Sequence, residues 1–245
     1  MATARRLRGA LCVAVLLGGA APGVACAPYR PPFTAPAGAG SPADPHQATL
    51  VFLWPATSCD PAGYFTIAGT DGRFVGNVAR GTQLRVSVPA GEHTFVAWNE
   101  VMEGASGAPS VATVPVLRAT LAEGRVYYVR MAFGEWDATG PRHPFTWVRG
   151  GGSTSNRCVA VAPGESTTSA MVALPPGSEA WSTVPEWTAQ LEVIAPDLVA
   201  GQAWLDANRE VLDAHRAVGE GRFEGLRPGA RRMATVVAED GVSGR

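Results

Sequence analysis

The chain has 245 residues, of which 46% are hydrophobic and 17% charged, with 29 Gly and 20 Pro. That is enough apolar material for one sizeable core, so disorder throughout is excluded. No apolar run reaches the roughly 20 residues that cross a bilayer as a helix, and a formal net charge of −1 offers no basic footprint for nucleic acid.

The N-terminus has the three-part layout of an export signal: Arg5, Arg6 and Arg8, an apolar run from Ala10 to Leu17, then small residues leading to Gly23-Val24-Ala25-Cys26. A cysteine at the end of such a leader resembles the bacterial lipoprotein lipobox. The resemblance implies that the Cys26 thiol carries diacylglycerol and that cleavage makes Cys26 the first residue. Gly23 departs from that pattern, which usually has Leu three residues before the cysteine. The alternatives are ordinary cleavage near Ala25 or Ala27, which makes the protein secreted, and an uncleaved N-terminus. Removing residues 1–25 takes three arginines and no acids, lowering the net charge from −1 to −4. Nothing in that balance draws the body to an anionic membrane, so the lipid chains would be the anchor, at about 0.8 kcal/mol per buried methylene. In a Gram-negative host, the absence of Asp after Cys26 implies, by resemblance to lipoprotein sorting, the outer membrane, with the domain facing the periplasm or the cell surface.

Residues 26–46 are rich in Pro, Ala and Gly and read as an unfolded tether with a reach of about 25 Å if coiled and about 60 Å if extended. Of the four cysteines, Cys12 lies in the leader and Cys26 at the lipidation position. Cys59 and Cys158 remain as an even pair in an oxidising compartment, read as a disulfide, with two separate buried thiols as the alternative.

Residues 47–176 read as a mainly β, antiparallel β-sandwich. Predicted strands are Ala48–Trp54, Gly63–Ala68, Arg73–Val78, Gln83–Val88, His93–Trp98, Val114–Leu121, Arg125–Phe133, Cys158–Val161 and Ala170–Leu174. Three turns predict three hairpins: Thr70-Asp71-Gly72, Pro89-Ala90-Gly91 and Ala122-Glu123-Gly124. A long Gly-rich loop surrounds Gly150-Gly151-Gly152. The series Asp71-Gly72-Arg73-Phe74-Val75-Gly76, Val88-Pro89-Ala90-Gly91-Glu92-His93 and Gly124-Arg125-Val126-Tyr127-Tyr128 resembles the small PEGA-like, immunoglobulin-like β-sandwich domains of an uncharacterised bacterial lipoprotein family. The resemblance covers residues of about 48–135 and implies a fold and an envelope address, with no catalytic residues.

Residues 177–230 read as a helical extension. Asp197 is the predicted N-cap of an amphipathic helix that runs to about Val218, with Leu198, Leu205 and Leu212 on the face that packs on the sandwich. Residues 231–245 read as a polar, partly frayed tail.

No catalytic set emerges. Neither Gly104-Ala105-Ser106-Gly107 nor Gly151-Gly152-Ser153-Thr154 has nucleophile-elbow spacing. The chain contains no lysine, which removes a Walker-type loop. His46, His93, His143 and His215 lack partners at metal-ligand spacing, and the acids Asp60, Glu135 and Asp137 read as solvated. No metal or cofactor is assigned. Seven tryptophans are the compositional excess. Trp54, Trp98 and Trp204 fall on apolar patterns and read as core. Trp136, Trp147, Trp181 and Trp187 sit in loop-like contexts, where an indole either packs over the sandwich or forms a glycan- or protein-binding patch. The expected function is that of a non-enzymatic, lipid-anchored envelope lipoprotein presenting an interaction surface to a protein or glycan partner. A glycan- or peptidoglycan-binding module is the second reading, and an envelope hydrolase using loop carboxylates the last.

Overall fold

The computed structural model describes residues 31–36, 45–55, 63–99, 114–137, 140–141 and 167–244. Its strands are β1 (Thr34–Pro36), β2 (Gln47–Trp54), β3 (Tyr64–Gly69), β4 (Phe74–Ala79), β5 (Thr82–Pro89), β6 (Gly91–Trp98), β7 (Val116–Leu121), β8 (Arg125–Asp137), β9 (Gly140–Pro141), β10 (Thr167–Ala173), β11 (Glu192–Pro196), β12 (Thr235–Val236) and β13 (Val242–Ser243). The helices are α1 (Val184–Gln190), α2 (Leu198–Ala207), α3 (Arg209–Gly225) and α4 (Pro228–Met233), with a 3-10 turn at Glu179–Thr183 before α1. The fold is mainly β, as expected.

Two sheets form. The first has the order β1-β11-β5-β2-β8-β10, with β9 and β13 also on β8; the second is β12-β7-β6-β3-β4. Their inner faces share a core in which Leu50, Phe52 and Trp54 meet Phe65, Ile67 and Phe95. Phe52 meets Phe95 edge-on at 6.3 Å, and Trp54 lies 5.1 Å from Phe65. The sheets are mixed rather than antiparallel throughout: β2 runs parallel to β8, β5 to β11 and β7 to β12.

Strand positions match the sequence reading closely, but two of the three predicted hairpins do not form. Only Thr70-Asp71-Gly72 joins hydrogen-bonded neighbours, β3 and β4. At Pro89-Ala90-Gly91 the chain leaves the first sheet for the second, and at Ala122-Glu123-Gly124 it returns. Both crossings are arches over the core. A period-two pattern states which side chains point inward; it does not state whether the next strand is a lateral neighbour or lies across the core. Val86 and Val88 on β5 and Phe95 and Ala97 on β6 all enter one core, as do Leu117 and Ala119 on β7 and Tyr127 and Val129 on β8. The first arch is closed by His93 Nε2 donating to the Pro89 carbonyl at 2.8 Å, with Gly91 at φ +124°. The second is pinned by the buried Tyr127 hydroxyl, which accepts from the Ala122 N–H at 2.8 Å and donates to the Ala238 carbonyl at 3.1 Å.

Part of the expected tether, residues 31–36, belongs to the fold. Thr34–Pro36 pairs antiparallel with β11, a strand the sequence reading did not foresee. Phe33 packs 5.9 Å from Phe74 and 5.7 Å from Trp204, and the buried Asn77 donates through Nδ2 to the Pro32 carbonyl. The expected single helix is two. Asp197 does cap α2, accepting from the Ala200 N–H at 3.0 Å. The chain then bends at Asn208 (φ −125°), whose amide donates to the Trp204 carbonyl at 2.7 Å. Leu205 and Leu212 are buried, whereas Leu198, in the first turn of α2, is 53% exposed.

The expected frayed tail is docked as well. Arg232 holds Asp240 through two hydrogen bonds, of 2.9 and 3.2 Å, and the same carboxylate accepts from the Val237 N–H at 3.0 Å. β12 and β13 then add to β7 and β8. A polar sequence looks loose when its acids are assumed to be solvated; here one acid organises the turn. The Cys158–Val161 segment and the Gly-rich loop lie outside the described residues.

Candidate functional site

The outer face of the second sheet carries α2 and α3. Phe74, Val96, Trp98, Val116, Leu205, Leu212 and Phe223 form the layer between them. Two glycines set the approach: a Cβ at Gly201 would overlap the Phe74 ring, and one at Gly219 would lie 2.5 Å from the Val116 side chain. Beneath α3, His215 is 2% exposed and stacks on Trp98 at 4.7 Å. Burial lowers the Arg222 guanidinium to about 10, which still leaves it cationic at neutral pH.

The helices cover only part of this sheet. Beside α3 a surface cleft of about 490 Å³ opens over the β3–β4 turn, the start of β6 and the middle of β7. Outward positions there are polar: Glu92 and Thr94 on β6, Arg118 and Thr120 on β7, with Asp71, Arg73 and Thr235 at the margin. Arg73 lies 3.6 Å from Asp71, and its Nη2 is 3.5 Å from His93 Nδ1. Arg118 pairs with Glu224 at 2.6 Å and stands 4.2 Å over the Phe223 ring. Arg216 reaches the rim, donating to the Thr70 carbonyl at 3.4 Å and pairing with Asp213 at 3.2 Å.

The arginines at this cleft are partly exposed, with side-chain exposures of 38% for Arg73 and 45% for Arg118. Each presents a fork of N–H donors that suits carboxylate or phosphate oxygens, and threonine hydroxyls supply neutral donors and acceptors between them. The arrangement suits recognition of a polar, hydrogen-bonding surface. Among the described residues, no three of His, Cys, Asp or Glu come together as a metal site.

The sequence-predicted site residues fall elsewhere. Trp181 and Trp187 lie on the segment Glu179–Gln190, over the outer face of the first sheet, where they pack with Val51, Leu53, Leu174 and Val184. Trp181 meets Tyr128 edge-on at 5.6 Å, and the Arg130 guanidinium stands 4.9 Å over Trp187. Both indoles are partly exposed. Trp136 is described only by its backbone, which pairs with Pro141. Trp147, Cys26, Cys59, Cys158, His143 and Asp60 lie outside the described residues, and Glu135 and Asp137 are described by backbone alone. Sequence reasoning missed Arg73, Arg118 and Glu92. Their signal is the polar half of the strand alternation in β6 and β7, legible as a surface only once it is known where the helices stop.

Comparison of the chain with known protein families, with characterised proteins and with solved structures yields no match.

Proposed function

We propose that this chain is a non-enzymatic, lipid-anchored protein of a bacterial cell envelope that presents the cleft beside α3 to an envelope protein or glycan partner. The observation that carries the reading is the leader pattern itself: Arg5, Arg6 and Arg8, the apolar run from Ala10 to Leu17, and Gly23-Val24-Ala25-Cys26. Pro31, five residues after Cys26, is buried, Pro32 accepts from Asn77, and Thr34 begins the pairing with β11. A leader ending at Ala25 would leave Cys26 as the first residue and every described element intact. The PEGA-like, immunoglobulin-like reading of residues 48–135 is kept as part of this proposal; what supports it is the shared two-sheet core, while the parallel pairings depart from a purely antiparallel sandwich.

Growth of an expressing bacterium with a clickable fatty acid tests the anchor. The wild-type chain is expected to take up label and to sediment with membranes, and Cys26→Ser to do neither. Label that persists in Cys26→Ser, or an unlabelled soluble wild type, contradicts the reading.

A second reading, a glycan- or peptidoglycan-binding module, is favoured by the two partly exposed indoles on the single segment Glu179–Gln190. Titration calorimetry with soluble peptidoglycan fragments tests it. Binding that Trp187→Ala abolishes and Arg118→Ala leaves intact would move the functional surface from the second sheet to the first.

A further inference from the structure

We infer that the N-terminal end of α2, with Leu198 and Val199 at its tip, is the face of this protein that lies on the bilayer. The inference rests on the lipid-anchored reading and adds an orientation to it.

Among the described residues, three large apolar side chains are prominently exposed: Val193 at 38%, Leu198 at 53% and Val199 at 83%. All three fall within one short stretch of chain. The N-terminal segment docks on that same stretch: Thr34 pairs with Pro196, Ala35 with Ala195, and the Asp197 N–H donates to the Phe33 carbonyl at 2.7 Å. Leu198 is the next residue after Asp197. The apolar tip and the entry of the chain into the fold are therefore neighbours.

Chain length then limits where the anchor can be. From Cys26 to Phe33, whose carbonyl meets Asp197 at the start of α2, is seven residues, which span at most about 25 Å when fully extended. The longer reach expected of an unfolded segment through residue 46 is not available, because Phe33, Pro32 and β1 are tied down. Acyl chains on Cys26 would hold the tip of α2 within that radius of the headgroups. Exposed apolar side chains held at such an interface insert into it. The charges next to this stretch in sequence are the acids Glu192 and Asp197, with exposed Arg80 beside the Glu192 pairing to Gly81, so apolar insertion, not attraction to anionic lipid, makes the contact. The cleft lies beside the β3–β4 turn, where Arg209, past the far end of α2, packs against Gly72. A membrane at the tip of α2 leaves the cleft open to the aqueous side.

Hydrogen exchange tests this orientation. Lipidated wild-type chain in vesicles of phosphatidylethanolamine and phosphatidylglycerol is compared with soluble Cys26→Ser, the intact mass of each sample being recorded first. The first turn of a helix ordinarily exchanges quickly, because its N–H groups lack intrahelical partners. Peptides covering residues 193–203 are expected to exchange at least several-fold more slowly in the vesicle sample. Peptides covering 179–190 should be unchanged, and the difference should persist in high salt. Val199→Asp, at a site open enough to leave the fold intact, is expected to keep the lipid mass and lose the protection. Equal exchange at 193–203 in a sample whose mass shows the lipid, or protection confined to another face, overturns the orientation and leaves the anchor standing. A wild-type mass without lipid overturns both.

Discussion

The two outer sheet faces are covered in opposite ways. On the second sheet, α2 and α3 come close through Gly201 and Gly219, so backbone approaches ring and methyl groups directly. On the first sheet, the segment Glu179–Gln190 stands off and fills the gap with Trp181 and Trp187. Close approach through glycine fixes the helices where they touch and leaves the rest of the strand surface bare, which is why the polar cleft lies on that side. Aromatic filling spreads the cover, and it leaves indole edges at the surface instead of a groove.

Enlarging the close contacts should damage the second cover most. Gly201→Val is expected to destabilise by about 3 kcal/mol, since the added atoms overlap Phe74 and a packed interface relaxes poorly; a urea titration followed by circular dichroism would measure it. An unchanged midpoint would mean that α2 does not dock as described. Trp187→Ala tests the other cover. Loss of a partly buried indole and its contact with Arg130 should cost about 2 kcal/mol in the same titration, and a near-zero effect would mark this indole as free for a ligand.

Smaller effects separate structure from recognition. Asp240→Asn removes the paired charge that holds the C-terminal turn and should cost about 1–2 kcal/mol, accompanied by faster hydrogen exchange in residues 235–243. Arg118→Ala breaks a pair whose side chains are 45% and 60% exposed, so stability should change by less than about 1 kcal/mol. Its consequence belongs to binding, read as lost affinity for whatever partner occupies the cleft. Gly221→Ala is the counterpart to the first substitution. A Cβ there meets nothing, and a gain of about 0.5–1 kcal/mol is expected from helix propensity alone.

Strand positions were legible because alternation and turn residues are local signals. Pairing was not: inward residues look the same whether the next strand lies beside or across, and the arches at Pro89 and Ala122 could be told from hairpins only by tertiary contacts. The Asp197 cap was legible for the same local reason, whereas the bend at Asn208 depends on how α2 and α3 meet the sheet. Phe33 inside a proline-rich stretch was the one cue that the tether would dock, and it carries weight only beside Phe74 and Trp204. The cleft was the least legible feature. Glu92, Thr94, Arg118 and Thr120 look like ordinary solvated positions until the helices are seen to stop short of them.

The account stands or falls on what Cys26 carries, and one intact-mass measurement on protein extracted from membranes addresses that directly. The account expects a chain starting at Cys26 and carrying diacylglycerol, a lipid mass lost in Cys26→Ser, and a two-proton increase on reduction if Cys59 and Cys158 are bridged. A mature chain without lipid, released from the cell, would contradict it and make this a secreted protein whose apolar α2 tip faces something other than its own membrane.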